Sequence, residues 1–323
     1  MKAVYLFVIV LSFFVCRSAV AQKLMVAHVA INPNQGLVWI TKDAGFLAKY
    51  GLTAEIVLIP GSPRTVQALI AGDLDYAIAG APAVLRARMQ GADVVILSSN
   101  SGFSSQRVLL RPDSTVASLS DLKGKMVGVT QYGSAGDSFL RAALKKAGVK
   151  ESEVNILQMG GTPPLTQALD AGKIEVGILG ESSALLVFRG RVKPLKGGSS
   201  RELGFMALEA PLAITERKLK ADRGVVLRFM QANIEAIHYF KTNKPGTVRI
   251  LQKYLRGLSE EHVGLWYDDM RETLKPLPYP DENALRAELE QINAPKTQPP
   301  AHFVNTTILD DIKKSGLIER IYK

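Results

Sequence analysis

Two stretches of this chain repeat one another at an offset of 100 residues. Residues 61–85 read GSPRTVQALIAGDLDYAIAGAPAVL and residues 161–185 read GTPPLTQALDAGKIEVGILGESSAL, identical without a gap at ten of 25 positions. The identities include Gly61/Gly161, Pro63/Pro163, the Gln-Ala-Leu of 67–69 and 167–169, Gly72/Gly172 and Gly80/Gly180. Each copy has the same grammar. A Gly-x-Pro turn opens a short helix that a glycine stops. An apolar strand follows and ends at a second glycine, where another helix begins. Unrelated αβα segments share some of this pattern, but ten ungapped identities point to two related units.

The flanks extend both units. The strand KLMVAHVAI (23–31) leads through the loop NPNQG to an amphipathic helix, LVWITKDAGFLAKYG, ending at Gly51, and TAEIVLI (53–59) precedes the first repeat. In the second half KMVGVTQ (125–131) leads through YGSAGD to the helix SFLRAALKKAG, and EVNILQM (153–159) precedes the second repeat. Strand–helix–strand–helix–strand, twice, is the pattern of right-handed parallel βαβ units. The expected fold is therefore α/β and two-lobed, each lobe a mainly parallel sheet flanked by helices. Open parallel sheets bind ligands beyond the carboxyl ends of their strands. Two such lobes facing each other make a cleft between them, lined by loops 32–36 and 131–137, 60–64 and 160–164, and 80–83 and 180–183. Residues 221–323 have a helical period with Pro-rich breaks at 276–280 and 295–300.

The first segment, MKAVYLFVIVLSFFVCRSAVA (1–21), has a basic start, an apolar middle and a small-x-small end, the layout of a cleavable secretory signal peptide. It is too short for a membrane span, because Arg17 ends the apolar run. Cleavage after Ala21 leaves 302 residues with 38 basic and 30 acidic side chains and removes Cys16, the one cysteine. Thiol nucleophiles and thiolate metal sites are thereby excluded from the mature chain. The whole chain's formal charge of +10 fits nucleic acid, an anionic surface or an anionic ligand. Export disfavours the first, and the basic residues lack the aromatic interleaving of a nucleic-acid reader.

The segments GLVWITKDAGFLAKYGLTAEIVLIPGSPRTVQALIAGDLDYAIAGAPAVLRARMQGADVVIL (36–97) and SLSDLKGKMVGVTQYGSAGDSFLRAALKKAGV (118–149) carry a more specific likeness. In their order and spacing the chain resembles periplasmic solute-binding proteins of ATP-binding-cassette importers, in the branch that binds sulfonates, taurine, nitrate and thiamine-pyrimidine precursors. The resemblance implies a type II periplasmic-binding fold with two crossings between lobes. Lobe one would be 22–107 with 208–323, and lobe two 108–207, the C-terminal helices packing on lobe one. It implies a monomer that captures a small-molecule ligand, without a cofactor, and hands it to an ABC permease in the inner membrane. A sensory receptor of the same fold is the alternative, with a pyrimidine-biosynthesis enzyme behind it.

The candidate ligand-binding residues lie in the equivalent loops. Asn32, Pro33, Gln35 and Gly36 form the first, where amide side chains meet helix N-terminal N–H groups. Gly133, Ser134 and Ser138 form its counterpart, beside the positive end of a helix dipole that suits a carboxylate or sulfonate. Asp137 there either caps the helix or repels an anion. Gly80 and Ala81 stand at the end of the first repeat strand, Gly161 opens the second repeat helix, and Glu181 takes the place of Ala81. Ser101 adds a hydroxyl, and Phe103 could stack on a flat ligand. Arg86, Arg88 and Arg107 fall near the cleft rim; Trp39, Trp266 and Tyr267 read as core. His28, His238, His262 and His302 are isolated and lack zinc spacing, so no metal is expected. No nucleophile elbow or Walker loop is present.

Overall fold

The computed structural model describes residues 21–180 and 190–323. Residues 1–20, which fall in the segment read as a leader (1–21), and the candidate Glu181 lie outside the described residues. The strands in chain order are β1 (Gln22–His28), β2 (Leu52–Leu58), β3 (Tyr76–Ile78), β4 (Val95–Ser98), β5 (Ser101–Phe103), β6 (Arg107–Leu110), β7 (Met126–Val129), β8 (Asn155–Gln158), β9 (Val176–Leu179), β10 (Lys193–Ser199), β11 (Met206–Glu209) and β12 (Leu212–Ile214). They form two five-stranded sheets, ordered β2-β1-β3-β12-β4 and β10-β6-β9-β7-β8, and a small antiparallel pair, β5 with β11.

The repeat has a structural counterpart in these orders. β2-β1-β3 and β8-β7-β9 are both parallel triplets, and each is extended by one antiparallel strand beside its third member. That added strand comes from the other end of the chain segment. β6 precedes the second unit and β12 follows it, so the chain passes between the sheets twice, through 104–106 and 200–205.

Burial explains the strand sequences. The three residues of β3 and the four of β9 are buried throughout, as central strands covered on both faces must be. Edge strand β2 alternates buried and exposed residues at its start. The covering helices include α1 (Leu37–Asp43), α2 (Phe46–Lys49), α3 (Ser62–Ala71), α4 (Ala81–Met89), α5 (Ala135–Lys146) and α6 (Thr162–Asp170). One face of the first sheet packs on α1 and the long helix Arg223–Thr242, which contributes Phe229, Ile237 and Phe240. Its other face packs on α3, α4 and the helix Glu282–Gln291. In the second sheet α5 covers one face and α6 the other.

The single helix expected over 37–51 is two. Gly45 adopts a left-handed φ of 83°, which ends α1 and starts α2. Trp39 is fully buried, stacked on Tyr254 with ring centroids 4.6 Å apart.

Candidate functional site

The carboxyl ends of β1, β3, β7 and β9 meet at one cavity of about 90 Å³ between the two sheets. From the first sheet it is lined by Val29, Ala30, Asn32, Gln35, Gly61, Ser62, Ala79 and Gly80. From the second come Thr130, Ser134, Ala135, Gly136, Thr162, Ile178, Leu179 and Gly180. The wall between them is made by Ser104–Gln106 and 207–210. Helices α3, α5 and α6 begin at this cavity, so three sets of N-terminal amides, which have no intrahelical partners, open toward it. Their partial positive charge favours an anionic group.

Several candidate side chains are already engaged in holding the loops. Gln35 Oε1 accepts from the Val29 and Ala30 amides at 2.8 and 3.3 Å, and Asn32 Oδ1 accepts from the Gln35 amide. Ser134 caps α5 by accepting from the Asp137 amide. Asp137 itself is buried; Oδ2 accepts from the Gly133 amide at 2.8 Å and Oδ1 pairs with Arg141 at 3.1 Å. It is a structural cap, as one of the two sequence alternatives had it. Pro33, Gly36, Ala81, Gly133, Ser138 and Gly161 do not line the cavity, whereas Asn32, Gln35, Gly80 and Ser134 do.

The glycines serve the approach of one sheet unit to the other. A Cβ on Gly61 would run into the Gln131 carboxamide, and Gly61 has a φ of 92°. A Cβ on Gly161 would lie 2.9 Å from Pro60 Cβ, and one on Gly80 would lie 3.1 Å from Ala135 Cβ. Arg86 of α4 reaches across the same seam, donating from Nη1 to Gly133 O and Ser138 Oγ, each at 3.2 Å. Burial pulls its guanidinium below the ordinary arginine value, and the charge of Asp137 opposes that shift. Arg88 turns away, to His302 O and Glu216.

A second, larger chamber of about 340 Å³ borders the first, sharing Ser104, Ser105, Gln106 and Glu209 with it. Ser101, Phe103, Arg107, Ser200 and Arg201 line it together with Leu265, Trp266 and Met270. Phe103 and Leu265 are exposed there, at 50% and 58%. Glu209 stands at the shared wall, where Oε1 accepts from Asn34 Nδ2 at 2.9 Å and Oε2 from the Ser105 amide at 3.0 Å.

Among individual residues, sequence reasoning missed Ser62, Thr162 and Glu209, which line the small cavity, and also Glu288. Glu288 lines it too, is 2% exposed, and its Oε2 has no hydrogen-bond partner. A signal for it did exist. Ala284, Leu285, Leu289 and Ile292 form the apolar stripe of its helix, and an acid at 288 falls on that stripe.

Among the described residues no group of three His, Cys, Asp or Glu is placed to hold a metal, and no helix is long and apolar enough to cross a membrane.

Residues 32–245 match the description "NMT1/THI5 like". The chain belongs to the NMT1/THI5-like family. The match runs from the loop at Asn32 through both repeats into the helix after Asn243. A putative binding protein of Brucella abortus is 29% identical over 237 residues, covering 72% of this chain and 71% of its own. Solved structures give the fold. The alkanesulfonate-binding protein of Xanthomonas axonopodis pv. citri, bound to MOPS, superposes with a TM-score of 0.71 at 18% identity, covering 90% of this chain and 96% of its own. The periplasmic aliphatic sulphonate binding protein of Escherichia coli gives 0.68 at 19%, covering 90% and 99%. The fold is that of periplasmic binding proteins.

Proposed function

We propose that the protein is the substrate-binding component of an ABC importer, closing around a small anionic organic solute and delivering it to an inner-membrane permease. The two sheet units act as lobes, 22–107 with 208–323 and 108–207, and the leader at 1–21 directs export to the periplasm. The protein acts as a monomer and turns nothing over. The observation that carries this reading is the meeting of helix N-termini from both sheets at one cavity. A sulfonate or carboxylate placed there would be bound by both lobes at once, so its binding energy would be spent on closure. The volume of about 90 Å³ suits a compact head group. The alkanesulfonate-binding and sulphonate-binding proteins named above support a sulfonate as the first solute to try.

The test is a thermal-shift series on the mature chain with alkanesulfonates, carboxylates and nitrate. A solute that binds only the folded state at 100 times its Kd stabilises by about 2.7 kcal/mol. The melting temperature should rise for an anion, and the radius of gyration in solution should fall. If no member of the series moves either quantity, the reading fails.

A further inference from the structure

Glu288 poses a question that the fold does not answer. A buried carboxyl oxygen without a hydrogen-bond partner is costly, and cores of this quality rarely tolerate one without a use. The side chain sits on the helix Glu282–Gln291, which packs against β11 and α4, and it faces the small cavity. The Leu208 amide of β11 donates to the carboxyl, while Oε2 has no partner. We propose that Glu288 is a solute-contacting residue, its free Oε2 forming a hydrogen bond to an acceptor oxygen of the solute's anionic head.

The chemistry requires the neutral acid, because an ionised carboxylate cannot donate. Its surroundings favour that form. Burial pushes the Glu288 carboxyl well above the ordinary glutamate range and Glu209 adds to the push, against the Leu208 amide and Arg86. These are the charged groups that face it: Glu209 from β11 and Arg86 from α4. Arg88, also on α4, is held by Glu216 and His302 O, and β5 carries no charged residue. The neighbouring turn Pro300–His302 adds only His302. A neutral acid adds a donor to the amides of three helices without adding a negative charge. An anionic head can therefore occupy a cavity that two glutamates line.

The inference rests on the solute-binding reading, and one experiment separates their failures. Calorimetric titration of wild type, Glu288→Gln and Glu288→Met would use methanesulfonate, ethanesulfonate and an aminoalkanesulfonate, whose sulfonate charge does not change with pH. Glu288→Gln keeps a donor at the same length and should bind the simple sulfonates within about threefold of wild type. Glu288→Met, with no donor, should lose about tenfold or more. Wild-type affinity should fall as rising pH ionises Glu288, while Glu288→Gln stays flat. Wild-type affinity retained by Glu288→Met overturns the proposal. So does a selective loss of the aminoalkanesulfonate by Glu288→Gln, because that outcome assigns an ionised acceptor for an amine. If wild type binds none of the sulfonates, the carboxylate or nitrate that raises its melting temperature takes their place in the titration; if it binds no member of the thermal-shift series, the solute reading itself falls and the proposal falls with it. Glu288→Gln is nearly isosteric, so it keeps the test open should Glu288→Met fold poorly.

Discussion

At the scale of single residues, two buried acids have opposite fates. Asp137 is matched: the Gly133 amide and Arg141 both use its charge. Asp137→Ala removes both contacts, leaving the half-buried Gly133 amide without its acceptor, while Arg141 keeps only Glu151. The expected cost is about 1–3 kcal/mol, read as a lower urea midpoint at unchanged m value; an unchanged midpoint would remove Asp137 as the cap of its loop. Glu288 is unmatched, and its sign follows from its raised pKa. The neutral form fits the fold, so its contribution is fully present below the ordinary glutamate range and is lost as pH rises through the shifted value. As pH rises from the ordinary glutamate range through the shifted value, the solute-free wild type should lose melting temperature relative to Glu288→Gln. A flat difference across that range would mean that Glu288 ionises without cost. Sequence reasoning reached the loop of Asp137 because a Gly-rich turn before a helix is a local pattern. It left the role of the acid open, since whether a carboxylate caps or faces a ligand is decided by partners outside the motif. Glu288 was passed over because the C-terminal helices were read only as packing.

At the scale of elements, the repeat is the most legible part of the chain. Gly72 stops α3 with a left-handed φ of 92°, and Gly61 and Gly161 open α3 and α6. Those features are written in adjacent residues. The antiparallel insertion of β6 beside β9 and of β12 beside β3 is not, because it depends on pairing across long sequence distances. The break between α1 and α2 was also hidden, since the apolar period of 37–51 continues through it. Gly45 makes that break. Nothing lies within 4 Å of the Cβ position it lacks, so its φ of 83° is the only obstacle to a side chain. Gly45→Ala should therefore destabilise by about 1–2 kcal/mol, the cost of a left-handed alanine, without changing solute affinity. A neutral or stabilising result by denaturant unfolding would show that α1 and α2 can merge into one helix at no cost.

At the scale of the whole molecule, the two sheet units touch around the small cavity, and Arg86 is a polar contact between them. Its Nη1 bonds Gly133 O and Ser138 Oγ, both on the far side of the seam, at a distance of 3.2 Å that makes each bond modest. The surrounding contacts are close approaches of Pro60 to Gly161, Gln131 to Gly61 and Ala135 to Gly80. These select for fit in the closed arrangement but offer little attraction of their own, because small surfaces bury little apolar area. If the two units open and close as proposed, Arg86 carries much of the bias toward closure in the absence of solute. Hydrogen bonds from a charged group contribute about 1.5–3 kcal/mol, and each 1.4 kcal/mol is a factor of ten in an equilibrium. Arg86→Ala should thus shift the solute-free protein toward the open form by about tenfold or more and raise its radius of gyration in solution scattering. Because the binding-competent form becomes a smaller fraction, the apparent Kd should weaken in inverse proportion to that fraction, while saturating solute restores the compact form. A variant that loses affinity yet stays compact without solute would make Arg86 a ligand contact instead of a clasp. One that keeps both properties would leave closure to the solute alone.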